Sequence, residues 1–191
     1  MQRNIRSTVD ACGPGPIRVV SICAGQGRDL LGAIDGHPRR GDVRARLVEL
    51  DARNCDAARA AAPTGVEVVA GDAFDTNAYL GAVPAELVLA CGVFGNISED
   101  DIRRTIQTLP SLCAHGATVI WTRHRRPPDR TDAVRQMFGE SGFDEVAFES
   151  PEGLVFGVGV NRLTRSPARF VPGVKMFDFV GYDNWINDQP A

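Results

Sequence analysis

The stretch that most constrains this chain is Ile17 to Ile34, IRVVSICAGQGRDLLGAI. It opens on a short apolar run rich in β-branched residues (Ile17, Val19, Val20, Ile22), the pattern of a strand buried on both faces. The run stops at Ala24-Gly25-Gln26-Gly27, and beyond it Leu30, Leu31 and Ile34 recur at helical spacing. Strand, glycine turn and helix in that order make the first unit of a parallel α/β sheet. Without a Cβ, the turn lets backbone lie directly against a ligand outside the carboxyl end of the strand. A dinucleotide-binding turn wants a third glycine where the helix crosses the strand, and Leu30 stands there instead. The turn alone therefore does not separate a cofactor site from an ordinary α/β connection.

The rest of the chain repeats the alternation. Residues 1–16 form a short lead-in, with one or two helical turns around Ile5 and Val9 broken by Gly13-Pro14-Gly15-Pro16. Val43 to Leu50 reads as a second strand, and Asp51 caps a helix over Ala52 to Ala61 that Pro63 stops. Val66 to Ala70 is a third strand ending at Gly71-Asp72-Ala73, and a brief helix around Phe74 to Leu80 leads to a fourth, Glu86 to Cys91. Ser98-Glu99-Asp100-Asp101 resembles a capping box before Ile102, Ile106 and Leu109. Ala117 to Thr122 is a fifth strand, and Thr131 caps a helix ending at Gly142. Phe143 to Glu149 and Leu154 to Leu163 are joined too tightly for a parallel crossover, so they form an antiparallel hairpin.

At 191 residues, without a repeat or linker, the chain reads as a single domain. No apolar run approaches the ~20 residues of a membrane span, and the N-terminus has no signal-peptide pattern. Five cysteines (Cys12, Cys23, Cys55, Cys91, Cys113) without a C-x-x-C pair argue against a disulfide framework and a zinc site, and for a cytoplasmic protein. The expectation is therefore no metal. A net charge of −3 offers nucleic acid no overall attraction.

Five βα units followed by a hairpin, with these loop ends, resemble the class I S-adenosylmethionine-dependent methyltransferases over roughly Ile17 to Leu163. The resemblance implies a Rossmann-like doubly wound sheet of about seven strands in the order 3-2-1-4-5-7-6, the seventh antiparallel, with helices on both faces. It implies S-adenosyl-L-methionine as cofactor and methyl transfer (EC 2.1.1.-) as activity. Cys23, Ala24, Gly25, Gln26 and Gly27 match the family's glycine-rich motif, with Ser21 where an acidic residue is common and Cys23 where a glycine is common. Glu49, followed by Leu50, ends the second strand and would accept hydrogen bonds from both ribose hydroxyls. Gly71-Asp72-Ala73 matches the motif whose aspartate bonds the adenine amino group. Cys91 and Gly92 end the fourth strand, so that Cys91 lines the pocket beside Cys23.

Ala90 to Asn96 falls where the family's motif IV adjoins the methyl group, but lacks the [DN]-P-P-[FYW] of amino-methylating enzymes and the Pro-Cys of cytosine C5 enzymes. Asn96 either orients a substrate or bonds its own turn. His124, where the fifth strand leaves the sheet, is the candidate base, against the reading of a solvated loop histidine. The arginines around it suggest an anionic group on the substrate. Lys175 is the only lysine, however, so arginine carries nearly all positive charge and each one is a weak signal. The leading function is methyl transfer to a small molecule. The alternatives are a cofactor-binding protein without transfer activity, acting as regulator or partner subunit, and a nucleic-acid or protein methyltransferase. Residues 164–191 form an aromatic-rich extension that packs on the sheet or its helices, covers the substrate cleft, or meets a second copy in a homodimer. Pro172-Gly173 is its turn, and Tyr182 and Trp185 are its residues nearest a ligand or partner.

Overall fold

The first apolar run becomes β1 (Ile17–Ser21), the middle of a seven-stranded sheet. The computed structural model describes residues 1–151 and 153–179. Around β1 come α1 (Gln2–Ala11), α2 (Arg28–Ile34), β2 (Val43–Glu49), α3 (Ala52–Ala61), β3 (Val66–Ala70) and β4 (Ala85–Ala90). They are followed by α4 (Glu99–Leu112), β5 (Cys113–His124), α5 (Thr131–Glu140), β6 (Phe143–Glu149) and β7 (Phe156–Leu163). The strand order is β3-β2-β1-β4-β5-β7-β6, with β1 to β5 parallel and β7 antiparallel to both its neighbours, the order and polarity expected. The order reverses between β1 and β4, which opens a crevice at their carboxyl ends.

Strand residues alternate between two cores, as a period of two requires. Val19, Leu47, Leu89 and Ile120 pack with Ile5 and Val9 of α1, Leu30 and Ile34 of α2 and Ala58 of α3. On the other face Val20, Val48, Val88 and Val119 meet Ile102, Ile106 and Leu109 of α4 and Phe138 of α5. Trp121 is the largest side chain there, stacked on Phe138 with ring centroids 5.6 Å apart. It fits because Gly159 of β7 lies directly opposite it on the neighbouring strand.

Asp51 and Ser98 cap α3 and α4, accepting from the amides of Asn54 at 2.9 Å and Asp101 at 3.2 Å. Thr131 does not cap α5. It is the first helical residue, and its amide donates to Asp129 Oδ1 at 2.9 Å. The lead-in is a full ten-residue helix, longer than expected. Its extra length is held by arginines that its own sequence does not advertise. Arg6 reaches the carbonyls of Ala33 and Asp35, and Arg39 reaches those of Val9, Cys12, Gly13 and Gly15, where the last turn has no internal donors. The brief helix expected around Phe74 to Leu80 is a single 3-10 turn, Thr76–Tyr79. β5 begins four residues early because Cys113 pairs with Ala85 across an irregularity.

The extension was expected on the sheet or helices, over the substrate cleft, or at a subunit interface. Its described part runs along the α4 face, where Met176 and Phe177 are buried in the core. Tyr182 and Trp185 lie outside the described residues.

Candidate functional site

The glycine turn closes on itself through Gly27 N to Ala24 O, 2.9 Å, and is tied to β2 by Ala24 N to Val48 O, also 2.9 Å. Cys23, Gly25 and Gly27 all take positive φ, of 51°, 56° and 70°. At Gly27 a side chain is excluded twice over, because a Cβ there would sit 2.8 Å from Leu47. That contact is the close helix-to-strand approach the turn requires. Cys23 holds a left-handed conformation that costs a non-glycine residue of order 1–3 kcal/mol.

Glu49, at the end of β2, faces this turn. Its Oε2 accepts from Gly25 N at 2.7 Å and its Oε1 from Asp51 N at 2.9 Å. A carboxylate has about four acceptor positions, so each oxygen keeps room for one more donor. At the end of β3, Asp72 Oδ1 accepts from Phe74 N at 3.3 Å. Gly71 gives its amide to Glu49 O at 2.9 Å.

Two cavities run along these strand ends and share Cys23, Cys91 and Gly92. The first, about 450 Å³, is lined by Ser21, the turn from Ala24 to Gly27, Arg28, Asp29 and Thr122. The second, about 890 Å³, is lined by Glu49, Leu50, Asp51, Asp72, Ala73 and Phe74, with Phe177 to Phe179 completing its wall. The sequence did not single out Asp29, Thr122 or Phe177 to Phe179 for the site. Asp29 was signalled only by following the glycine turn, and the phenylalanines only by the richness of the extension in aromatics. Gly71 lines neither cavity. Burial, with Glu49 and Asp72 adding, pushes the Cys23 thiol up to about 12. Burial followed by Asp29 raises Cys91 as well. Both are therefore neutral thiols at physiological pH.

His124 and Asn96 line neither cavity. Asn96 Nδ2 donates to Gly92 O at 2.7 Å, so its amide bonds its own turn. Gly92 N in turn donates to Thr122 Oγ1 at 2.9 Å. The His124 ring packs on Gly95, where an added Cβ would meet its Cδ2 at 2.9 Å. Burial, then Arg123 and Arg126, depress the His124 pKa below its ordinary 6.5, and the imidazole is neutral at pH 7. The neighbouring arginines have work within the fold. Arg123 donates to Phe94 O, Arg125 to Asp129 and Ser150 at 2.9 Å each, and Arg130 pairs with Glu99 at 3.5 Å. Among the described residues, no three His, Cys, Asp or Glu side chains cluster as metal ligands, and no helix is long and apolar enough to cross a membrane.

No protein-family model matches the chain, and no curated protein matches its sequence. Solved structures resemble its fold. An O-methyltransferase family protein from Burkholderia thailandensis superposes with a TM-score of 0.64 at 15% identity, over 88% of this chain and 57% of that one. For a TehB-like S-adenosylmethionine-dependent methyltransferase from Corynebacterium glutamicum the TM-score is 0.62 at 16% identity, over 82% and 85% of the two chains. The glycopeptide N-methyltransferase MtfA, solved with sinefungin, gives 0.62 at 15% identity, over 87% and 85%. The chain thus spans little more than half the length of the Burkholderia protein. Its fold is that of the class I S-adenosylmethionine-dependent methyltransferases.

Proposed function

We propose that this chain binds S-adenosylmethionine and catalyses transfer of its methyl group to a small-molecule acceptor. One observation carries the reading. Two carboxylates from the ends of different strands, Glu49 and Asp72, line one cavity, and the glycine turn lines the cavity that adjoins it. That division suits a ligand with a ribose and an amino-bearing base at one end and a flexible polar chain at the other. Glu49 would take the ribose hydroxyls, Asp72 the exocyclic amine, and the turn the methionine half.

When bound, S-adenosylmethionine supplies an electrophilic methyl group on a sulfonium. The protein's part is alignment and exclusion of water, where effective molarities of about 10⁵–10⁸ M are attainable. The raised pKa values of Cys23 and Cys91 serve this chemistry, because a thiolate beside the sulfonium would itself be methylated. His124 stands at the end of β5 outside both cavities, and its role as a base for an acceptor hydroxyl or amine is what the pH profile below tests.

Calorimetry with S-adenosylmethionine, S-adenosylhomocysteine and NAD tests the cofactor. Binding of the first two and not the third is expected, and the reverse overturns the proposal. A product assay over acceptors then tests transfer, and tight binding without turnover on any of them would favour a regulator. Where transfer is observed, turnover should fall as pH drops through the depressed pKa of His124, placing the acid limb below 6.5. His124→Asn should remove that limb and leave cofactor affinity within about twofold. An unchanged pH profile in the variant would return His124 to the role of a loop residue.

A further inference from the structure

We propose, building on the cofactor assignment above, that the chain beyond β7 supplies one face of the adenine site, with Phe179 stacking on the base opposite Leu50. The segment is fixed in place rather than loosely laid. After leaving β7 it is caught by Ala168 N to Pro110 O at 3.1 Å, and by Thr76, whose Oγ1 donates to Val171 O at 2.8 Å. The same Oγ1 accepts from Val174 N at 2.8 Å, and Thr76 N donates to Val174 O at 3.0 Å. Met176 N then bonds Phe74 O at 2.8 Å, two residues past Asp72. On the α4 side Met176 O accepts from Thr105 Oγ1 at 3.2 Å, and Asp178 N donates to Asp101 Oδ2 at 3.1 Å. Met176 and Phe177 are fully buried, so the backbone that carries Phe179 is anchored on both sides.

With that anchorage the wall of the larger cavity has a definite chemistry. Glu49 and Asp72 are its carboxylates, and Leu50 and Phe179 line it as large apolar side chains left 70% and 56% exposed. Each comes from a different part of the chain, and each presents apolar surface that the fold itself does not cover. A flat heteroaromatic ring with an amino edge satisfies both demands: its faces cover the leucine and the phenylalanine, and its edge meets Asp72. Leu50 follows directly from the end of β2. The second face comes from the extension, whose described residues add no strand to the seven-stranded sheet.

The test uses the full chain with 5′-methylthioadenosine and S-adenosylhomocysteine, which share the adenosine and differ in the amino-acid arm. Phe179→Ala should raise the Kd of both by about tenfold, and Phe179→Trp should hold both within about twofold of wild type. Because Phe179 is half exposed, neither change should move the unliganded melting temperature. Phe179→Leu, which keeps apolar bulk without a flat ring, should fall between the two and stands in should the alanine variant fail to fold. Affinity within twofold of wild type in both Phe179→Ala and Phe179→Leu overturns the proposal. A wild-type chain that binds neither ligand instead overturns the cofactor assignment, and that outcome is read without any variant.

Discussion

Glu49→Ala is expected to weaken S-adenosylmethionine binding by roughly tenfold to a hundredfold or more, the largest loss of any single change at the site. Charge-assisted hydrogen bonds are worth about 1.5–3 kcal/mol each, and each 1.4 kcal/mol is tenfold in affinity. Glu49 also holds the receiving turn, because it accepts from Gly25 N at 2.7 Å and Asp51 N at 2.9 Å. Alanine thus removes the ligand's acceptor and loosens the turn with it. Asp72→Asn makes a cleaner comparison. Its side chain accepts only from Phe74 N, at 3.3 Å, among the described residues, so the loss should be about tenfold and confined to ligands with an adenine amine. Titration calorimetry on both variants, with circular dichroism to confirm folding, decides the matter. Wild-type affinity in both would sink the assignment.

Gly159→Val should be the most damaging single change to stability, costing about 3 kcal/mol or more. A Cβ at residue 159 would run into the indole of Trp121, which is fully buried. Its Nε1 donates to Asn161 Oδ1 at 2.8 Å, and it is flanked by Phe138, Phe94 and Phe148 with centroids 5.6, 5.9 and 6.0 Å away. At about 2–4 °C per kcal/mol for a chain of this size, the melting temperature should fall by roughly 10 °C. Gly157 faces Phe148 in the same way. Phe148 is only half-buried at the rim of the sheet and can swing aside, so Gly157→Ala should cost less. A Gly159→Val chain that melts within 2–3 °C of wild type would mean the indole can move.

The sheet was legible because its strands are short, largely apolar runs bounded by turn residues. Glu49 and Asp72 were singled out through the resemblance to the methyltransferase motifs at these strand ends. What could not be read depends on which partner each side chain finds once the chain is folded. The length of α1 is set by Arg39, which follows it by more than a helix, and the capping of α5 by Asp129 rather than Thr131. Asn96 had two readings until its bond to Gly92 O was seen. The extension was legible as apolar and as turning at Pro172-Gly173, where Gly173 has φ of 76°. Its destination was not, since Thr76, Thr105 and Asp101 have no pattern in common that marks them as its docking points.

The place of β7 between β5 and β6 has a consequence for how the chain is made. β6 is synthesised first, yet its place is one strand further out, so a growing chain holds β5 with only β4 beside it. The seven residues that β7 later pairs, Thr118 to His124, then present an open edge to other chains or to β6 itself. Should β6 settle there first, it must let go before β7 can enter. The risk of misassembly is therefore concentrated in the interval between translation of Phe143 and translation of Leu163.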